Sequence, residues 1–138
     1  ENISKNKLTN KISCEHTTID NISLNDTNFD IIISNSVLHH VKSSKLFWNF
    51  VYKYIKKGSY FFIMDLIRPL TKDKAFKLVD KYAANESPQL KEDFFNSLLA
   101  AYTISEVKKQ IRCFVGLKYK IKEISDRHFF VAGGKNEI

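Results

Sequence analysis

FDIIISNSVLHHV, residues 29–41, is the stretch that decides the fold of this 138-residue chain. Its β-branched run Ile31–Ile33 stops at three small polar residues, Ser34, Asn35 and Ser36, and two adjacent histidines follow after an apolar step. A short apolar run bounded by turn formers predicts a buried parallel strand. Because ligands of open α/β sheets bind beyond the carboxyl ends of the strands, the polar residues after Ile33 are candidate site residues.

The rest of the chain predicts strands that alternate with helices, which favours a parallel sheet with crossover connections. A short last connection predicts an antiparallel hairpin at one edge of this α/β fold. The predicted elements are a strand over 11–17, a helix from Ser43 or Ser44 to about Lys57 that Gly58 ends, an apolar strand over 60–66, helices over 71–85 and 92–101, a helix opened by the capping box Thr103–Glu106, and strands over 118–124 and 128–132.

Composition excludes several classes of protein. The chain is 43% apolar and 27% charged, so it predicts neither disorder nor a membrane protein, and its apolar stretches are far shorter than a membrane span. Cys14 and Cys113 are far apart and form no CxxC pair, which predicts buried free thiols in a reducing cytoplasm and no metal site.

The formal charge of +7 raises the question of nucleic-acid binding. Arginine occurs only at Arg68, Arg112 and Arg127, so lysine supplies 19 of the 22 basic residues, and these are scattered along the chain. Scattered lysines favour a solvated surface over a patch that follows phosphates.

Five motifs in order give the chain a family resemblance. They are FDIIISNSVLHHV, the glycine-led strand over 58–65, MDLIRP (64–69), DFFNSLLAAYT (93–103) and SDRHFFVAGG (125–134). Together they resemble the class I S-adenosylmethionine-dependent methyltransferases. The resemblance implies a partial doubly wound, mostly parallel sheet, with strands three to seven of the family's seven and an antiparallel C-terminal edge hairpin. It also implies a single partial domain over 1–138, with a helical lid-like insertion over 70–103.

The family's glycine-rich loop after strand one and the acidic end of strand two have no counterpart here. We therefore expect the chain to be the C-terminal portion of a longer enzyme. In the family, strands one and two lie between strands three and four, so the predicted strand over 11–17 has no neighbour. We expect the first 28 residues to be displaced, poorly ordered or paired with a second copy through that strand, because unpaired edges favour association.

The resemblance also implies residues that bind the cofactor S-adenosylmethionine. Ser34, Asn35 and Ser36 would line its methionine end, and Thr18 and Ile19 would lie at the end of strand three, near the adenine.

The two histidines are the candidates for catalysis. His39 and His40 diverge by about 100° on a helical turn, so at most one of them faces a site. A histidine there could accept a proton from the attacking hydroxyl or amine, and the resemblance favours His40. The alternative is that both histidines have packing or capping roles.

Candidate residues for the methyl acceptor follow the second apolar strand. Asp65 and Arg68 could position an amine and an acid group of a small molecule, or they could pair with each other. In the predicted lid, Asp93, Asn96 and Tyr102 would select the acceptor, or they serve as helix caps and surface residues.

The sequence thus predicts methyl transfer from S-adenosylmethionine to a small-molecule nucleophile in the cytoplasm, without a metal or a membrane anchor. The alternative is a non-catalytic α/β module that binds a protein or RNA partner through its lysine-rich surface.

Overall fold

The structure of the protein is a computed structural model that describes residues 2–25 and 29–135. Helices separate the first three strands along these residues, and the last two strands are consecutive. The elements are α1 (Asn2–Lys5), β1 (Phe29–Asn35), a 3₁₀ turn (Leu38–His40), α2 (Ser44–Tyr54), β2 (Ile55–Leu66), α3 (Lys72–Ala83), α4 (Pro88–Ala100), α5 (Ile104–Ile111), β3 (Leu117–Glu123) and β4 (His128–Lys135).

The four strands form one mixed sheet in the order β1-β2-β4-β3. β1 and β2 are parallel, and β4 is antiparallel to both β2 and β3. The predicted α/β fold with an antiparallel hairpin at its C-terminal edge is therefore confirmed.

One face of the sheet, the covered face, carries the main core. Phe61, Ile63, Phe129 and Val131 project from this face and are at most 1% exposed. The helices α2 and α5 cover it with the buried side chains Phe47, Trp48, Val51, Val107 and Ile111. Burying a large apolar side chain stabilises a fold by about 1.5–3 kcal/mol, so this layer holds α2 and α5 against the sheet.

The opposite face, the open face, is apolar but exposed. Ile31 is 59% exposed, Ile33 72%, Tyr60 67% and Phe62 41%. The ring of Phe62 stacks on that of Phe130 with centroids 5.5 Å apart. These side chains occupy neighbouring register positions of β1, β2 and β4, so they form one continuous surface.

A second, smaller core joins α3 and α4 to the end of β2. It contains Leu66, Ala75, Val79, Ala83, Leu98 and Ala101. The Thr71 hydroxyl caps α3 by accepting from the Lys74 N–H at 3.2 Å, as the predicted helix start requires. The α4 helix begins at Pro88 rather than 92, because Ser87 caps it and proline is well suited to the first helical position.

One predicted element near the N-terminus, the strand over 11–17, is wrong. Residues 11–17 form no strand and are exposed. Their alternation is short, and no neighbouring strand in the described residues completes a hydrogen-bond ladder with them. Pairing of this segment with a second copy stays a prediction. Cys14 and Cys113 are free thiols, as predicted, but both are exposed rather than buried.

The predicted boundary between α2 and β2 is also wrong. The helix ends at Tyr54, and the strand already begins at Ile55. Gly58 does not end the helix; it lies within β2 at φ +77, where the register between β1 and β2 is interrupted between Phe29 and Ile31. A left-handed residue is needed at such a bulge, and glycine adopts this conformation without a steric penalty.

Candidate active site

The carboxyl ends of β1 and β2 lie side by side. Asn35 is in register with Met64, and the Ser36 N–H donates to the Met64 carbonyl at 2.9 Å. The polar residues after β1 therefore lie next to Asp65 at the end of β2. This parallel arrangement is the one that the sequence predicts, and it forms the edge at which α/β proteins bind ligands.

The chain leaves β1 through a strained serine. Ser36 has φ 55, a left-handed conformation that is unfavourable for a residue with a Cβ atom, and its hydroxyl donates to Asn35 Oδ1 at 3.2 Å. Among the described residues, Ser34 Oγ is the buried side-chain polar atom that has no hydrogen-bond partner. An unpaired buried hydroxyl is costly, so Ser34 is suited to bind a polar ligand group at this edge.

Asp65 and His39 form a buried pair behind the strand ends. The Asp65 carboxylate is 2.5 Å from His39 Nδ1, and it also accepts the backbone N–H groups of Leu38 at 2.8 Å and Leu66 at 2.7 Å. Asp65 is 1% exposed and His39 is 9% exposed. These contacts occupy both carboxylate oxygens. Asp65 therefore fixes the 3₁₀ turn over Leu38–His40, the histidine turn, and presents no free oxygen to a substrate.

His40 is exposed, whereas His39 is buried. Its ring lies 3.9 Å from that of His39, with an angle of 42° between them. His40 lines a pocket of about 420 Å³ together with Asp93, Asn96, Ser97 and Ala100 of α4. The structure therefore brings His40 together with two of the predicted acceptor residues.

The Asp93 carboxylate in this pocket is held by its own helix. The Gln89 side-chain amide donates to Asp93 Oδ1 at 2.9 Å, one turn earlier in α4. Ser97 lies one turn later on the same helical face, which is why it joins Asp93 in the pocket although sequence reasoning omitted it. The i, i+4 spacing from Asp93 to Ser97 is the signal that could have identified it.

Arg68 and Tyr102 lie away from this pocket. Arg68 pairs with Glu106 and donates to the Ala101 carbonyl at 3.3 Å, so it does not pair with Asp65. Tyr102 is half-buried, and its carbonyl accepts the Arg68 N–H at 3.2 Å beside the bridge between Ile67 and Tyr102. These contacts join the end of β2 to the start of α5.

Glu106 completes the predicted capping box at the start of α5. It accepts the Thr103 N–H at 2.8 Å, and its own N–H donates to the Thr103 hydroxyl at 3.3 Å. Burial would raise the pKa of Glu106, but the hydrogen bonds from Thr103 and Arg68 outweigh it and hold the pKa below its ordinary value. The carboxylate thus stays ionised as a structural anchor.

Thr18 and Ile19 lie in a turn rather than at the end of a strand. The Thr18 carbonyl accepts the N–H groups of Asn21 and Ile22, and Ile19 packs against the main core. Thr18 is exposed, and its hydroxyl accepts from the Asn21 side chain at 3.0 Å. Their predicted role in cofactor binding stays a prediction.

Two kinds of feature are absent from the described residues. These residues contain no group of three or more His, Cys, Asp or Glu side chains that could hold a metal ion. None of the helices formed by these residues is both long and apolar enough to cross a membrane.

Comparisons with known proteins point to one class. Residues 1–63 match the family model of the methyltransferase domain. The fold is similar to that of the plantazolicin methyltransferase BpumL in complex with a triazolic desmethylPZN analog and SAH (S-adenosylhomocysteine), at 15% identity and a TM-score of 0.70. That match covers 95% of this chain and 63% of BpumL. No curated protein matches the chain.

Two further solved structures share the fold. A SAM-dependent methyltransferase from Aquifex aeolicus has 16% identity and a TM-score of 0.64, with 96% of this chain and 58% of that one covered. The YcgJ protein from Bacillus subtilis has 13% identity and a TM-score of 0.68, with 98% and 75% covered. The fold that the resemblance to class I S-adenosylmethionine-dependent methyltransferases implies is thereby confirmed. The chain spans less than two thirds of the length of BpumL and of the Aquifex aeolicus enzyme.

Proposed function

We propose that this chain is the C-terminal portion of a methyltransferase that moves a methyl group from S-adenosylmethionine to a small-molecule nucleophile. The observation that carries the proposal is the convergence of His40, Asp93 and Asn96 on one pocket at the edge where the parallel strands β1 and β2 end. The methyltransferase family match and the SAH-bound structure with the same fold support the cofactor.

The residues at the end of β1 fit the polar end of the cofactor. The unpaired Ser34 hydroxyl and the exposed Asn35 side chain would hold its methionine part, together with the backbone at Ser36. When bound, S-adenosylmethionine supplies an electrophilic methyl group on a sulfonium, which needs little further activation. The protein's main contribution is then to hold the nucleophile in line, since orientation alone accounts for a large part of such rate enhancements.

His40 is the residue we assign to proton removal. It is exposed in the pocket, and the buried Asp65–His39 pair behind it fixes the turn from which its ring projects. The Asp93 carboxylate and the Asn96 amide lie on the opposite wall and would orient a hydroxyl or amine toward His40. A neutral histidine can accept the proton that such a group loses as it attacks the methyl carbon.

Two measurements on the complete natural protein test the proposal. Calorimetric titration with S-adenosylhomocysteine should release or absorb heat, and a flat trace at millimolar ligand would rule out the cofactor. Transfer of a labelled methyl group from S-adenosylmethionine to the low-molecular-mass fraction of a cell extract should fall by about 10²–10⁴-fold in His40→Ala. His16→Ala removes an exposed histidine elsewhere and should keep full activity, so equal losses in both variants would refute the role of His40.

The alternative function is that of a module that binds RNA or protein, and a row of lysines on β3 supports it. Lys118, Lys120 and Lys122 are all exposed at this edge of the sheet. Binding through such a row would weaken steeply with added salt. Salt-sensitive RNA binding without any heat from S-adenosylhomocysteine would favour this alternative over methyl transfer.

A further inference from the structure

A second cavity lies beyond the carboxyl end of β2. It has a volume of about 580 Å³, within the range of about 300–1,000 Å³ that small-molecule sites occupy. Its walls are the loop over 67–70, one side of α3, the start of α5 and the turn between β3 and β4. It shares no lining residue with the His40 pocket.

The inner surface of this cavity is largely apolar. It is lined by Ile67, Pro69, Leu70, Leu78 and Ile104. Leu70 is 82% exposed at the rim, which is costly for a leucine that nothing covers. A ligand with an apolar body would remove this surface from water.

The basic side chains around the cavity fall into two groups. Arg68 is neutralised by Glu106, and Lys81 Nζ lies 2.7 Å from Asp126 Oδ2. Lys74 and Lys77 also line the cavity, but no carboxylate of the described residues lies within ion-pair distance of either. They are three residues apart on α3, a spacing at which like charges repel.

The acidic residues of the cavity lie on the other wall. Asp126 is engaged by Lys81 and by the Tyr82 hydroxyl at 2.9 Å, and Arg127 lies 3.3 Å above the Tyr82 ring. These contacts tie α3 to the turn between β3 and β4, so that wall is fixed. Glu123 lines the cavity from the end of β3. An anionic group would be attracted to the Lys74 side and repelled from the Glu123 side. A ligand with one anionic end would therefore bind in one orientation.

We propose that this cavity binds a small amphiphilic carboxylate, with its acid group between Lys74 and Lys77 and its apolar body against Leu70, Leu78 and Ile104. Lysine is a flexible point charge that suits a monoanion without demanding bidentate geometry. The apolar lining favours such a ligand over a sugar phosphate or another wholly polar anion. The site goes beyond the proposed methyl transfer, which uses the other pocket.

The assignment is tested by titrating the complete natural protein with octanoate and, separately, with octan-1-ol, and by following the shifts of the backbone amide NMR signals. Octanoate should shift the backbone amide signals of Ile67, Arg68 and Leu70 and those of residues 74–78. The double variant K74Q/K77Q should lose about tenfold in octanoate affinity and keep its octan-1-ol affinity, because only the charge contribution is removed. K74R/K77R should retain octanoate binding.

The variant K118Q/K120Q provides a matched control, since it removes the same charge from exposed positions on β3. It should bind octanoate like the wild type. The proposal is overturned if octanoate does not bind, if its shifts fall on Ile33 and Tyr60 of the open face, or if the control loses as much affinity as K74Q/K77Q. None of these assays needs the cofactor, so such a failure would leave the methyl-transfer proposal standing.

Discussion

The two faces of the sheet carry similar side chains in different surroundings. Along β2, Phe61 and Ile63 point to the covered face and are at most 1% exposed, whereas Tyr60 and Phe62 point to the open face and are 67% and 41% exposed. These four residues are consecutive in the chain. Their burial differs only because α2 and α5 lie over one face of the sheet.

The difference shows what an unbroken apolar run encodes. A strand with one solvated face alternates apolar and polar residues, whereas a strand buried on both faces is apolar throughout. Residues 60–64 follow the second pattern, as do Ile31–Ile33 of β1. The sequence of these strands is thus suited to a sheet with a layer on each side, and the described residues supply one such layer. Stability should therefore depend on the covered face and hardly at all on the open one.

The largest expected effect comes from a pair of neighbouring phenylalanines. Phe61→Ala should lower the free energy of unfolding by about 3–5 kcal/mol, because it leaves a cavity beneath Trp48 in the main core. Phe62→Ala should cost less, about 1 kcal/mol, because the side chain is 41% exposed and its ring stacks on that of Phe130 at the open face. Urea unfolding of the two variants measures both values. Equal losses would show that the open face is covered in solution.

The next largest effect on the free energy of unfolding is expected at Asp65, which lies at the end of the covered face. Asp65→Asn replaces an acceptor of three hydrogen bonds by an amide with one oxygen, so we expect a loss of about 1–3 kcal/mol. Asp30→Asn makes the same chemical change where the side chain is 82% exposed and paired with Lys56. That variant should stay within about 0.5 kcal/mol of the wild type. Equal unfolding midpoints for the two variants would contradict the buried role of Asp65.

Acid should weaken the attachment of α5 by a smaller amount. The pKa of Glu106 is lowered in the folded state, so its contribution is present above the unfolded pKa of about 4.3 and is lost as the pH falls through the folded value. Arg68 and Glu106 are 36% and 39% exposed, and solvent screening keeps this contribution below about 1 kcal/mol. Amide exchange in α5 at about pH 6 and about pH 3.5 measures it. Glu106→Gln should remove that part of the pH dependence; an unchanged profile would contradict the assignment.

The smallest effect on stability is expected on the open face. Ile33→Ser with Tyr60→Ser should leave the free energy of unfolding within about 0.5 kcal/mol of the wild type, because both side chains are more than half exposed. Binding of the neutral dye Nile red should fall, since the variant removes apolar surface that the dye can contact. A strong loss of stability with unchanged dye binding would reverse the interpretation of the two faces.

Sequence reasoning predicted those elements whose signals are local. The capping box at Thr103 and Glu106 defines the start of α5, and the two apolar runs define β1 and β2. The predicted end of α2 at Gly58 is wrong, because a helix end and a strand bulge can both require a left-handed residue and therefore both favour glycine. The choice between them depends on the register with β1, which no local pattern encodes.

The candidate site could likewise be predicted only in part. Its location beyond β1 could be predicted, because strand ends in α/β sheets share an edge. The pairing of His39 with Asp65 joins residues 26 positions apart and follows from the adjacency of β1 and β2 rather than from spacing. The closeness of Arg68 to Asp65 in the sequence predicts either a role at the acceptor or a pair with Asp65, yet Arg68 pairs with Glu106 of a later helix.

The Asp65 carboxylate also links two segments of the chain, the histidine turn and the end of β2. Its two oxygens accept hydrogen bonds from the N–H of Leu38 in the histidine turn and from the N–H of Leu66, where the segment that leads to Arg68 begins. A molecule that displaces the histidine turn must therefore pull on the end of β2 and on the cavity wall that follows it. Loss of this one carboxylate should therefore loosen both segments together, even though the two pockets share no lining residue.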